Sequence, residues 1–372
     1  MKSEVYALSE LVILFDKKRI PLSAMERVKR SGSYRYYGAQ GVIDYIDDYI
    51  FDGQYMLIAE DGENLKSNKQ NIAQLVSGRF WLNNHAHIVQ CNEKANMTLL
   101  CYYLNHTDLS GYITGSAQPK LSQTNLNAIT VRLPSRTIQD RIASIIDSID
   151  GKIASNTQIN HNLEQQAQAI FKSWFVDFDP TQPFTNAVRV LGGGTPKTDN
   201  ESYWNGQIPF FTPKDTGELY ILSTEKSLTE AGLSNCNSRL YPVNTVFVTA
   251  RGTVGKLALA GCPMAMNQSC YALMSNGDYG QLYVYHLAVA TVEKLKRKAN
   301  GAVFDAIVTR DFETELVPAP EVTEIRNFEK NITPFYDTIL NNCKENRRLA
   351  ALRDALLPKL MSGELDVSEV DI

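Results

Sequence analysis

Few side chains in this sequence stand at spacings that reactive chemistry needs. His85 and His87 lie two apart, so on a strand they share a face and imitate two ligands of a metal site. No third ligand stands near them, and hydrogen-bonded polar roles suit them better. Asp177 and Asp179 imitate a carboxylate pair, but Pro180 follows, and a carboxylate beside proline caps and turns the chain. The run GGGTP at 192–196 invites a phosphate-loop reading. It lacks the GK[ST] ending that puts a lysine on the phosphates, so its glycines are read as a tight turn. The sequence contains no HExxH, no Walker A, no GxSxG elbow and no [DNS]PP[YFW] amino-methyltransferase motif. The six cysteines, Cys91, Cys101, Cys236, Cys262, Cys270 and Cys343, have no CxxC spacing. They argue against zinc or a disulfide framework and suit a reducing cytoplasm.

Charge is more informative than reactivity. The net charge is −4, so any polyanion partner must be held by local runs. One such run spans Lys17 to Arg35, where Lys17, Lys18, Arg19, Arg27, Lys29, Arg30 and Arg35 face a single acid, Glu26. It leads into SYRYYGAQG, where tyrosines including Tyr37 sit among small residues and Gln40. A solvated face is one reading of such a run. The other is a loop on nucleic acid, with Lys and Arg on phosphates and Gln or Arg at base edges. Later in the chain Thr195, Lys197, Thr212 and Lys214 surround the glycine turn, and Arg251 follows the strand-like VFVTA. A basic cluster at Lys294, Lys296, Arg297 and Lys298 closes a helical stretch, where the helix dipole favours cations by itself.

These side chains need elements to hold them. Residues 1–134 read as one α/β domain: LVILF, YMLIA and AHIVQ alternate with Gly, Asn and Asp turns. Asn96 to Leu109 reads as a core helix. Residues 135–178 read as a long helix with a heptad seam at Ile142, Ile146, Ile149, Ile153, Asn156, Asn160, Leu163, Ala167, Ile170 and Trp174. Residues 179–320 repeat the plan of the first domain, and 321–372 hold a second long helix with a tail. Its seam lies 186 residues further on, at Phe328, Ile332, Phe335, Ile339, Asn342, Asn346, Leu349, Leu356 and Leu360. Both seams carry two amides, a device that fixes register at some cost in stability. Arg353, standing where Ala167 stood, is the one poor match. Each seam needs the other, and an antiparallel pair is the economical solution. It would set two similar globular domains apart on a rod with pseudo-twofold symmetry.

Five stretches resemble one family: YYGAQGVIDYIDDYIFDGQYMLIAEDG, GSAQPKLSQTNLNAITVRLPS, AIFKSWFVDFDP, GGGTPKTDNESYWNGQIPFFTPKD and RRLAALRDALLPKLMSGELDV. Together they make the chain similar to the specificity (S) subunit of type I restriction–modification systems. One departure is the short TQPFTNAVRVL between the third and fourth stretches, which leaves little chain for a first strand of the second domain. The resemblance implies an α/β (α+β) fold with two target-recognition domains, each reading half of a bipartite double-stranded DNA site. It also implies docking of methyltransferase (M) subunits and of restriction and translocase (R) subunits. The chain itself is then expected to be non-catalytic, with S-adenosylmethionine and ATP bound only by those partners. The expected DNA-facing residues are Lys17, Lys18, Arg19, Arg27, Lys29, Arg30, Arg35, Tyr37, Gln40, Lys120, Thr195, Lys197, Thr212, Lys214 and Arg251. No apolar run reaches the 18 residues that span a membrane, and a cytoplasmic protein is expected. A coiled-coil adaptor binding only proteins, and a nucleotide-binding enzyme using GGGTP, are the rival readings.

Overall fold

A computed structural model describes residues 3–66, 70–115, 118–175, 178–277, 279–298 and 306–367. The chain forms two compact units, Met1–Gly151 with Leu349–Ile372, and Lys152–Arg348. Both long helices run from one unit into the other. Asp177 of the carboxylate pair lies outside the described residues.

Unit 1 is built on a six-stranded sheet in the order Val12–Leu14, Ala86–Cys91, Phe51–Ala59, Ala73–Leu82, Ser31–Gly38, Gly41–Ile46. Its pairings are antiparallel except that of Ser31–Gly38 with Ala73–Leu82. The stretch SYRYYGAQG is therefore a strand and a turn, not a loop. Tyr36 packs with Ile46 and Trp81, while Tyr37 packs with Phe51 and Phe80 on the other face. With both faces covered the strand shows no period-two alternation, and its aromatic run reads as a loop. The helix Met97–His106 starts at Asn96, whose side chain accepts from the Leu99 N–H, one of the donors a helix start leaves open. A short ladder of Ser3–Ala7 with Thr130–Pro134 completes the unit.

Unit 2 repeats this plan with a five-stranded sheet in the order Val188–Gly192, Cys270–Ser275, Val246–Thr249, Leu257–Ala260, Tyr220–Ile221. Beside it lies a three-stranded sheet of Lys226–Leu228, Trp204–Phe211 and Ala265–Met266. The short stretch TQPFTNAVRVL contributes to two strands, which corrects the expectation of a missing one. Pro180–Pro183 pairs with Leu316–Pro318, and Val188–Gly192 pairs with Cys270–Ser275. One helical turn, Phe184–Ala187, suffices to join them. The equivalence of the units is written in the backbone. Leu8 N–H reaches Ile129 O at 2.8 Å, and Phe184 N–H reaches Glu315 O at 2.8 Å.

The long helices span Arg136–Phe175 and Val322–Ser362. In unit 1, Ile142 and Ile146 share a core with Leu357 and Leu360. In unit 2, Ala167, Phe171 and Phe175 share a core with Ile325, Phe328 and Ile332. The start of one helix thus meets the end of the other within each unit, so the pair is antiparallel. The seam drifts from strict sevens: Trp174 is 38% exposed while Phe175 is 2% exposed, which removes Trp174 from the seam. Likewise Tyr336 and Leu357 are buried, with Phe335 and Leu356 only partly so. An α-helix turns every 3.6 residues, so a 3.5-residue stripe rotates about 20° per heptad unless the helices supercoil.

The amides lie in unit 2 and answer one another. Asn156 Nδ2 donates to Asn346 Oδ1 at 2.8 Å, and Asn342 Nδ2 donates to Asn160 Oδ1 at 2.8 Å. Shifting the first pair by the repeat yields the second, as an isologous contact requires. Arg353 fits because Asp150 meets it at 2.7 Å. The residues at the repeat-related positions, Ala167 and Tyr336, instead share one apolar core.

Candidate nucleic-acid interface

In unit 1 three segments converge where the strands Ser31–Gly38 and Phe51–Ala59 end and Ala86–Cys91 begins. The first turns through Ala39 and Gln40 into Gly41, which has φ +123°. The second runs into Glu60, Asp61 and Gly62. The third is preceded by Asn83, Asn84 and His85. Asn83 N–H reaches Tyr37 O at 3.1 Å, His85 N–H reaches Asn83 Oδ1 at 2.8 Å, and Glu60 N–H reaches His85 O at 2.9 Å. Asn64 Nδ2 donates to Ala39 O at 3.3 Å, tying the first turn to the second. Gln40 is exposed on this cluster, as is Lys120, whose backbone bridges that of Asp61.

The same bonds build the cluster in unit 2. Asn267 N–H reaches Phe211 O at 3.0 Å, Ser269 N–H reaches Asn267 Oδ1 at 3.0 Å, and Ala250 N–H reaches Ser269 O at 2.8 Å. Thr195 Oγ1 donates to Gln268 Oε1, and Thr253 Oγ1 sits 3.5 Å from Pro213 O. Thr195, Gln268, Lys214 and Arg251 are therefore gathered around one patch. The glycine turn is packed rather than open. A Cβ on Gly193 would lie 2.2 Å from Asn267 O, and one on Gly194 would lie 2.7 Å from Asn237 N. These glycines let backbones touch, and no helix follows them to receive a phosphate.

The basic run of unit 1 divides by employment. Lys17 and Lys18, on the one-turn helix Asp16–Lys18, are exposed. Arg19 is not: its side chain is 14% exposed, and Nη1 donates to Glu60 Oε2 at 2.8 Å and Ala86 O at 2.7 Å. This corrects the expectation that Arg19 faces a ligand, because its donors are spent inside the fold. Tyr37, 5% exposed in the core, is corrected likewise. Arg27 reaches Asp44 at 3.0 Å above the Tyr36 ring, and Arg30 reaches Asp47 at 2.9 Å above the Trp81 ring. Arg35 donates to Ser77 O at 2.6 Å. Lys29 is exposed at the end of the helix Ala24–Lys29. It and Arg30 precede the strand Ser31–Gly38, whose eight residues set them roughly 20–25 Å from Gln40. The run is thus no single patch.

In unit 2, Lys197 is exposed, and its carbonyl accepts from Trp204 Nε1 at 3.2 Å. Thr212 caps the turn Pro213–Asp215: its N–H and its hydroxyl both donate to Asp215 Oδ2 at 2.8 Å. That leaves Lys214 as the exposed side chain of the turn. The cluster at the end of Gln281–Lys298 serves the fold. Lys294 and Lys298 hold the buried Glu315, and Lys296 donates to Gly255 O at 2.7 Å. Burial pushes the Glu315 carboxyl up, but the two lysines outweigh it and hold it below its ordinary range.

Beneath the unit 1 cluster, Asp16, Glu60 and His87 bring together atoms of the kind that hold a metal ion. Their valences are occupied by one another and by cations. His87 Nδ1 meets Asp16 Oδ2 at 2.6 Å and Nε2 meets Leu121 O at 2.8 Å. Arg19 and Lys120 take the Glu60 carboxylate at 2.8 and 3.4 Å. Burial would raise the Asp16 carboxyl, yet the His87 and Ile88 hydrogen bonds and Arg19 bring it below its usual range. His85 does not join His87: it is exposed, and its Nδ1 lies 2.8 Å from Asp61 Oδ2. Asp61 and Gln268 are members of these clusters that sequence patterns did not single out. For Gln268 the signal was the mirroring of LNNHAHIVQ by MNQSCYALM, while Asp61 lies outside both stretches.

Comparison with known proteins bears on what such paired clusters serve. The type I restriction modification DNA specificity domain family matches residues 1–165 and 188–351. The chain is 24% identical over 327 residues to the type I restriction enzyme HindI specificity subunit of Haemophilus influenzae, covering 66% of this chain and 71% of that one. It is 26% identical over 288 residues to the MjaIX specificity subunit of Methanocaldococcus jannaschii, covering 71% and 66%. The aligned stretches thus span about two thirds of those relatives. The crystal structure of a type I restriction-modification system S subunit from M. genitalium shares the fold, with a TM-score of 0.60, 14% identity and 96% of each chain covered.

Proposed function

Because the chain belongs to the type I restriction modification DNA specificity family, we propose that it is the sequence-reading subunit of such a complex. Each unit reads one half of a bipartite duplex site. The long helices join the two readers and offer their outer faces to M and R subunits. Methyl transfer, nucleotide hydrolysis and cleavage then belong to those partners, with S-adenosylmethionine and ATP bound there. The observation that carries this reading is the pair of equivalent loop clusters, each presenting exposed cations beside amide side chains. Gln40 and Lys120 belong to one, with Lys17 and Lys18 exposed on the turn whose Asp16 meets His87. Lys214, Arg251 and Gln268 belong to the other, with Lys197 exposed two residues after Thr195. Cations there neutralise phosphates and position the protein; amides and guanidinium groups reach base edges.

The test is the salt dependence of DNA binding by the chain assembled with M subunits. Replacing Lys17 and Lys18 by Ala should weaken binding to every sequence alike. It should also lower the slope of log K against log salt by roughly 2, one for each phosphate no longer neutralised. Unchanged affinity and slope would remove those lysines from the interface. Absence of any DNA binding by the unaltered complex would favour the protein-binding adaptor instead.

A further inference from the structure

The two units spend the same backbone bonds on one turn and then place opposite chemistry on it. In unit 1 the strand Phe51–Ala59 enters Glu60, whose N–H reaches His85 O at 2.9 Å and whose carbonyl accepts from Leu121 N–H at 2.8 Å. In unit 2 the strand Val246–Thr249 enters Ala250, whose N–H reaches Ser269 O at 2.8 Å and whose carbonyl accepts from Ile307 N–H at 3.0 Å. The next residue is Asp61 in one unit, bridged to Lys120, and Arg251 in the other, bridged to Ala306. Both are followed by a glycine in the left-handed region, Gly62 at φ +113° and Gly252 at φ +81°. A side chain there would be strained, so both turns keep the preceding residue at the tip. Asp61 and Arg251 are therefore one position of a repeated scaffold.

The chemistry at that position differs in sign. Arg251 is exposed, and among the described residues no carboxylate comes within ion-pair distance of it. Asp61 turns both carboxylate oxygens to His85 Nδ1, at 3.0 and 2.8 Å, and its side chain is 23% exposed. A carboxylate has about four lone-pair directions, so this pairing leaves acceptors for a ligand. An acid facing DNA is repelled by phosphates. Here Lys120, bridged to Asp61 through the backbone, is exposed beside it, and its Nζ sits 3.4 Å from the adjoining Glu60.

We propose that this turn residue is the base-reading position of both units. Arg251 donates to O6 and N7 of guanine, and Asp61 accepts from the N4 amino group of cytosine, the matches these groups make in the major groove. His85 acts as a positioning residue that fixes the Asp61 rotamer. The inference rests on the DNA-reading function proposed above and adds which base each unit selects.

The experiment is selection from a pool of duplexes with randomised half-sites, using the full chain assembled with M subunits. The unaltered complex should enrich a bipartite sequence. If it enriches none, the DNA-reading function itself fails, and this inference falls with it. Given a sequence, Arg251→Gln should lower the preference for guanine at one position of one half-site, roughly tenfold to a hundredfold. Asp61→Asn should do the same to a cytosine in the other half-site, leaving the remaining positions alone. Unaltered preferences in either variant, or an even loosening across both half-sites, would overturn the assignment. Should Asp61→Asn fail to assemble, His85→Asn must shift that same cytosine position, and an unshifted position would count against the inference equally.

Discussion

Lys18 and Arg19 are neighbours with opposite employment, because the one-turn helix Asp16–Lys18 leaves one at the surface and swings the other over Glu60. Nothing in a run of cations distinguishes them, since the partners that decide, Glu60 and Ala86, lie far along the chain. Burial decides the histidines in the same way. His286 sits in unit 2 against the Phe171, Tyr285, Phe328 and Tyr336 rings, with Nε2 2.9 Å from the Tyr336 hydroxyl. Burial pushes its pKa down to about 3 from 6.5, so it is neutral in the folded protein. Between those values the unfolded chain binds the additional proton. Stability is then fully present above the unfolded value and falls as pH drops towards the folded one, by up to about 1.4 kcal/mol per pH unit. Denaturation between pH 7 and pH 4.5, above the range where carboxylates dominate, should show this slope. His286→Gln should lower stability at pH 7 yet flatten the slope, and an equally steep slope in the variant would assign the protons elsewhere.

Among the elements, the long helices are the part most legible in sequence, because few arrangements besides paired helices produce a seam repeated over several heptads. Their ends were less legible. The helix period carries burial to Phe175, where the Phe171 and Phe175 rings each lie 5.2–5.7 Å from the Tyr283 and Phe328 rings. The sheets were legible where apolar runs are long, as in Phe51–Ala59, and illegible in Ser31–Gly38, whose buried residues are tyrosines covered on both faces. The seam amides make a further claim that can be measured. Asn156→Leu alone leaves Asn346 Oδ1 without its donor and should cost about 1–3 kcal/mol. Adding Asn346→Leu replaces the pair by apolar groups and should recover much of that loss. Additive losses in the double-mutant cycle would mean that the two amides do not act together.

For the whole molecule, the internal repeat is the governing feature. Its helices betray it in sequence, while its globular parts keep equivalent backbone bonds, such as Asn83 to Tyr37 and Asn267 to Phe211, beneath different side chains. Hydrogen bonds of the main chain constrain side chains weakly, so the equivalence of Asp61 with Arg251 becomes visible only in three dimensions. One scaffold used twice, with different residues at its tips, suits two readers of unlike sequences in one chain. The methylated bases of DNA modified by the chain together with its M subunits test this most directly. Two readers on one chain should yield a bipartite motif, two short specified segments separated by bases of any kind. Methylation at one continuous motif, or without sequence preference, would contradict it.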